Sequence, residues 1–95
     1  MRLKWTKRAL QQLKEGQDYI ARENPAAANV IAERITQATR LLLMQPLMGR
    51  TGRVTGTREW VVQQTPYLLA YTVVNDTLQI LGVIYSKQDW PQTFH

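Results

Sequence analysis

The sequence predicts an α+β fold, an N-terminal helical hairpin packed on a small twisted antiparallel sheet. Three observations predict it. Apolar residues before Pro46 recur three and four apart, the spacing of one helix face. After Thr57 they gather in three short β-like runs, about 58–64, 68–74 and 77–85. Between these regimes, Pro46 to Thr57 holds three glycines and little apolar content, which reads as an irregular loop. Helices followed by an antiparallel meander form two layers around one core. At 95 residues the chain has material for a single domain, 1–95.

The elements follow in order. Leu3-Lys4-Trp5 is a short apolar-polar-aromatic run, expected as an edge strand that returns to the main sheet. Thr6 then suits an N-cap, because its hydroxyl can accept from a free amide of the first helical turn. Ala9, Leu10, Leu13, Gly16 and Ile20 form the apolar stripe of the first helix, with Gly16 allowing close approach of a neighbour. Asn24-Pro25 caps and starts a second helix. Its seam is Ala28, Ile31, Ile35, Ala38 and Leu42; Val30 and Leu41 lie off it, and Pro46 ends it. Arg22, Glu33, Arg34 and Arg40 are left for the wet face of the hairpin.

In the second half, Asn75-Asp76 suits a tight two-residue hairpin between the last two runs. Leu68 to Val74 is apolar on both faces except for Thr72, which places it centrally. Simple alternation from Thr77 to Tyr85 puts Leu78, Ile80, Gly82 and Ile84 on one side. Gln79, Leu81, Val83 and Tyr85 then fall on the other.

Charge and composition narrow the function classes. Twelve Lys and Arg against seven Asp and Glu give a formal net charge of +5. Such a surface attracts polyanions: nucleic acid, an acidic protein or a ribosomal surface. No apolar run reaches membrane-spanning length and no signal-peptide pattern opens the chain, so the expected location is cytoplasmic, with no membrane partner. With no cysteine, neither a disulfide nor a Cys-based metal site can form, and no cofactor or metal is expected.

The residues with the most chemical content lie between Gly49 and Pro91. The segment opens Gly49-Arg50-Thr51-Gly52-Arg53 and continues Gly56-Thr57-Arg58-Glu59-Trp60. It runs through Pro66-Tyr67-Leu68 and Tyr71, and closes Tyr85-Ser86-Lys87-Gln88-Asp89-Trp90-Pro91. This order resembles the ParE/RelE superfamily of small bacterial toxins from type II toxin–antitoxin pairs. The resemblance implies the same α+β architecture and a cognate antitoxin that is small, acidic and partly disordered. It also divides the expected chemistry, since one branch cuts mRNA on the ribosome and the other binds DNA gyrase.

In ribonuclease members an arginine often follows the tyrosine that opens the central strand; here Tyr67 is followed by Leu68. Many also carry a histidine at the end of the last strand, where this chain has Tyr85. A phenol can donate a proton but is a weak base near neutral pH. The only histidine, His95, is the last residue and a poor candidate for a base. The resemblance therefore leans to the ParE-like branch, with DNA gyrase as target and no bond cleaved. The alternative is a RelE-like endoribonuclease acting on ribosome-bound mRNA, with an atypical site built from Arg50, Arg53, Arg58, Tyr85 and Lys87.

Arg50, Arg53 and Arg58 form the densest basic cluster and could grip a phosphate or an acidic antitoxin side chain. The alternative is that they are solvated, with the glycines serving turns, and that Arg58 pairs with a carboxylate across the sheet. As solvated loop residues they are expected to tolerate charge reversal without loss of fold. Trp60, Tyr67, Tyr71, Tyr85 and Trp90 are numerous aromatics for one small sheet. They could fill the core, land a partner or stack on bases, the first two being commoner. With Lys87, they complete the candidate target- or antitoxin-binding set.

Overall fold

The computed structural model describes residues 1–85, and Lys87, Asp89, Trp90 and His95 lie outside them. Strand β1 (Arg2–Trp5) leads into helix α1 (Lys7–Ala21), which turns into helix α2 (Pro25–Met44). Four strands follow: β2 (Arg50–Thr51), β3 (Arg58–Val61), β4 (Tyr67–Val74) and β5 (Thr77–Tyr85). They form one sheet in the order β1-β5-β4-β3-β2, with the helices on one face. The α+β layout is thus as the sequence implied. One pair departs from an all-antiparallel sheet, because β1 runs parallel to β5, Arg2 opposite Thr77 and Trp5 opposite Ile80. Both helices and three strands lie between the two in the chain, so this is a long-range pairing rather than a hairpin.

Local chemistry explains the boundaries. The Thr6 hydroxyl accepts from the Ala9 amide at 3.1 Å and donates to the Leu81 carbonyl at 3.4 Å, capping α1 and tying it to β5. The Asn24 side chain accepts from the Ala27 amide at 3.1 Å, and Pro25 supplies the first turn of α2. Asn75 and Asp76 have φ of 50° and 58°, the left-handed pair that matches the twist of a two-residue hairpin. β3 is shorter than the apolar run suggests. The chain turns at Val62, whose amide donates to Tyr67 O, and Gln64 has φ of 60°.

The main core lies between the helices and the sheet. Ala9, Ile35, Ala38 and Leu42 pack against Tyr67, Leu69, Tyr71, Leu78, Ile80 and Val83. The α2 seam is as read, with Val30 and Leu41 exposed. In α1, Leu10 is exposed and leaves the predicted stripe, since it sits about 100° around the helix from buried Ala9. Trp5, Leu13, Ile20 and Ile31 close the core's margin.

The two-sided reading of β5 is corrected by a bulge. Ala70 opposes Gly82 but Tyr71 opposes Ile80, so Leu81 is an extra residue without a partner in β4. Side chains beyond it change faces. Val83 joins Leu78 and Ile80 beneath the helices, while Ile84 moves to the opposite face with Leu68 and Ala70. β1 covers only the first half of β5. Past its end, the Gln12 side chain accepts from the Val83 amide at 2.9 Å and occupies the open edge.

Candidate functional site

The loop from Pro46 to Thr57 is held against β3 from both faces of the sheet. On the helix side, Arg58 lies opposite Tyr71. The Tyr71 hydroxyl accepts from the Gly49 amide at 2.9 Å and donates to Pro46 O at 2.8 Å. The Arg58 guanidinium donates to the carbonyls of Gly49 at 2.8 Å and Leu47 at 3.2 Å. Its partners are therefore main-chain oxygens rather than a cross-strand carboxylate.

On the other face, Glu59 lies opposite Arg50 in β2 and opposite Ala70 in β4. Its carboxylate is only 3% exposed and takes four contacts from two arginines. Arg50 donates through Nε at 3.2 Å and Nη2 at 3.0 Å to Oε1. Arg53 donates its main-chain amide to Oε2 at 2.8 Å, and its Nε sits 3.5 Å from the same oxygen. A buried carboxylate needs this degree of pairing, since a lone charge there would be costly. The arginines keep exposed surface, 58% and 51% of their side chains, so the loop presents two guanidiniums fixed on one buried anion. Their joint formal charge with Glu59 is +1, below what the sequence cluster suggests.

The loop's own glycines serve this packing. A Cβ at Gly49 would overlap the Tyr71 hydroxyl and lie 2.7 Å from its Cε1 and 2.9 Å from Glu59 O. At Gly56 the reason is conformational, with φ of +80° and open space around it. Thr57 completes the turn, its hydroxyl donating to Val54 O at 2.6 Å while Gly52 donates to Thr57 O at 2.8 Å. The expectation that the loop arginines are merely solvated is thus not met. Reversing all three charges would remove the side-chain contacts of Arg50 and Arg53 to Glu59 and of Arg58 to the Leu47 and Gly49 carbonyls, so the loop should be destabilised rather than left intact.

The aromatic candidates separate. Tyr71 is fully buried, and burial pushes its phenol pKa up against the opposing pull of the Gly49 amide and the Arg58 charge. Its part in any contact is indirect, through the loop it holds. Trp60 is partly buried beside Arg34, Ala38 and Leu41 of α2. Tyr67 and Tyr85 face each other with ring centroids 5.8 Å apart, at the α1 side of the sheet. Lys87 and Trp90 are outside the described residues. Tyr85 lies across the sheet from the Glu59 cluster: it shares the helix-side face with Tyr67, whereas Glu59 and its arginines lie on the face of Ala70. Among the described residues, no three His, Cys, Asp or Glu side chains converge as metal ligands.

The residue that the sequence reading left without a role is Glu59. Its signal was present as a single carboxylate inside a strand, directly after Arg58 and six residues from Arg53. Tyr71→Phe tests the other anchor. Removing the hydroxyl strands the Gly49 amide and the Pro46 carbonyl, and is expected to cost about 1–3 kcal/mol in denaturant unfolding. A loss below about 0.5 kcal/mol would mean that water replaces the hydroxyl without penalty.

Residues 3–90 match the family model described as ParE toxin of type II toxin–antitoxin system, parDE. A protein of Sinorhizobium fredii with the provisional name toxin Y4kP is 41% identical over 91 residues, spanning 96% of this chain and 94% of that protein. A solved structure titled as the chromosomal ParDE toxin–antitoxin system from P. aeruginosa superposes with a TM-score of 0.81 at 25% identity. It covers 90% of this chain and 95% of its counterpart. A family match over nearly the whole chain agrees with the helical hairpin, the five-stranded sheet and the arginine loop, and this chain belongs to the ParE toxin family of type II toxin–antitoxin systems.

Proposed function

We propose that this toxin, when free of a cognate antitoxin, inhibits DNA gyrase and so replication by binding rather than by cleaving a bond. The gyrase target rests on the resemblance to the ParE branch. The observation that supports binding over RNA cleavage is the separation of Tyr85 from Arg50 and Arg53 on opposite faces of the sheet. A nuclease must bring a proton donor and phosphate-binding cations to one phosphodiester. Here the phenol that stands where many nuclease members have histidine lies on the opposite face of the sheet from Arg50 and Glu59, which supports the binding reading. The exposed parts of Arg50 and Arg53 instead suit carboxylates or phosphates of a partner surface.

The antitoxin is a small acidic polypeptide that orders on the toxin, consistent with a +5 chain and with a structural relative titled as a toxin–antitoxin system. No described helix is long and apolar enough to cross a membrane, and the proposed site of action is the cytoplasm. The test is plasmid supercoiling by purified gyrase. The toxin is expected to abolish supercoiling, an equimolar antitoxin to restore it, and Tyr85→Phe to leave inhibition within about twofold, since only packing or contact is at stake. Undiminished supercoiling at a large excess of folded toxin would remove gyrase as the target.

A further inference from the structure

A groove of about 500 Å³ opens where α1 meets the ends of β4 and β5, away from the arginine loop. Gln12, Glu15, Gly16 and Tyr19 of α1 line one side, and Tyr67 and Tyr85 line the other. Its form follows from a close approach: a Cβ at Gly16 would lie 2.8 Å from the Tyr67 hydroxyl, so the glycine lets the helix settle onto that ring. Tyr67 and Tyr85 are tilted at 58° to each other, and Tyr19 is 73% exposed at the mouth. The Tyr67 phenol is held above its ordinary pKa by burial and then by the nearby Tyr85 and Tyr19 groups, so the three phenols are electrostatic neighbours. Beside them stands Glu15, whose exposed carboxylate accepts from Gln11 at 3.1 Å. Among the described residues, no lysine or arginine lines this groove.

The exposed rings of Tyr19 and Tyr85, with the Glu15 carboxylate beside them and the largely buried Tyr67 behind, form an environment for positive charge. A cation over an aromatic ring is attracted by the ring quadrupole, and a guanidinium can also stack flat and donate to phenol and carboxylate oxygens. We propose that this groove is a docking site for an arginine side chain presented by a partner polypeptide. The site goes beyond the antitoxin and gyrase reading above and does not depend on it, because it is defined by its own lining. It selects charge as well as shape: a neutral chain of the same length would meet the same walls but lose the attraction of the rings and Glu15.

The test uses the full-length chain with isotope-labelled tyrosine rings, titrated with N-acetyl-arginine amide at about 0.15 M salt, where long-range repulsion by the basic chain is screened. The ring signals of Tyr19, Tyr67 and Tyr85 are expected to move together and saturably. N-acetyl-citrulline amide, the neutral isostere, is expected to bind at least about threefold more weakly. Glu15→Gln and Tyr19→Leu change exposed positions and should each weaken arginine binding about two- to fivefold, the range of an exposed ion pair or cation–π contact. Absence of shifts at the three rings would overturn the proposal. So would equal binding of arginine and citrulline amides, which would make the groove a surface for neutral chains. The readout involves neither toxicity nor gyrase, so it can fail while the proposed function stands.

Discussion

Glu59→Ala is expected to lower the stability of the folded chain by about 2–4 kcal/mol, near the range for stripping a buried ion pair of one partner. The substitution removes the acceptor for Arg50 Nε and Nη2 and for the Arg53 amide in one step. Both arginine side chains are half exposed and can return to water, which keeps the loss below that of a fully enclosed pair. In a chain of this size such a loss should lower Tm by more than about 10 °C. Glu59→Gln, which keeps an oxygen for the Arg53 amide but not the charge, should fall between Ala and the native residue. Thermal unfolding of the three proteins decides it. A Glu59→Ala loss below about 0.5 kcal/mol would show that the pairing adds nothing beyond the desolvation it offsets.

Gly49→Ala is the second large effect, out of proportion to one methyl group. The new Cβ would overlap the Tyr71 hydroxyl and crowd Glu59 O at 2.9 Å, with the Tyr71 ring fixed in the core behind it. Overpacking of about 1–3 kcal/mol, together with the weakened Gly49–Tyr71 hydrogen bond worth about 1 kcal/mol, gives an expected loss of about 2–4 kcal/mol. Gly56→Ala meets open space and only the cost of positive φ, about 1–2 kcal/mol. The mechanism is separable from general loop damage by a double-mutant cycle. Beside Tyr71→Phe, the Gly49→Ala penalty should shrink by at least about 1 kcal/mol, because the overlapping oxygen is gone. Strict additivity of the two changes would locate the damage elsewhere.

These two positions also show what the sequence could and could not convey. The α2 period, the Thr6 and Asn24 caps and the Asn75-Asp76 turn are local, and each was legible because short-range geometry decides it, whereas the α1 stripe wrongly took in Leu10. The parallel placement of β1 was not legible, since pairing between Arg2 and Thr77 joins residues separated by both helices and three strands. Nor was the face of Val83 and Ile84, which turns on one extra residue at Leu81. The adjacent Gly82 was its only local hint. In the site, the arginine cluster was visible as composition, but its anchor was not. Glu59 becomes central only because β2 pairs with β3 and brings Arg50 opposite it. Tyr71 likewise looked like a contact residue until its hydroxyl was seen bridging Pro46 and Gly49 from inside the core.

A toxin of this family that acts by binding should leave RNA intact under the conditions in which it stops gyrase. The most direct measurement pairs two assays on one preparation: plasmid supercoiling, and mapping of 5′ ends on a defined mRNA translated by purified ribosomes. The expected result is full loss of supercoiling with no new mRNA ends at the same toxin concentration. Site-specific cuts in the translated message, lost in Tyr85→Phe at unchanged Tm, would contradict it and place a proton donor in a catalytic role that the sheet geometry argues against.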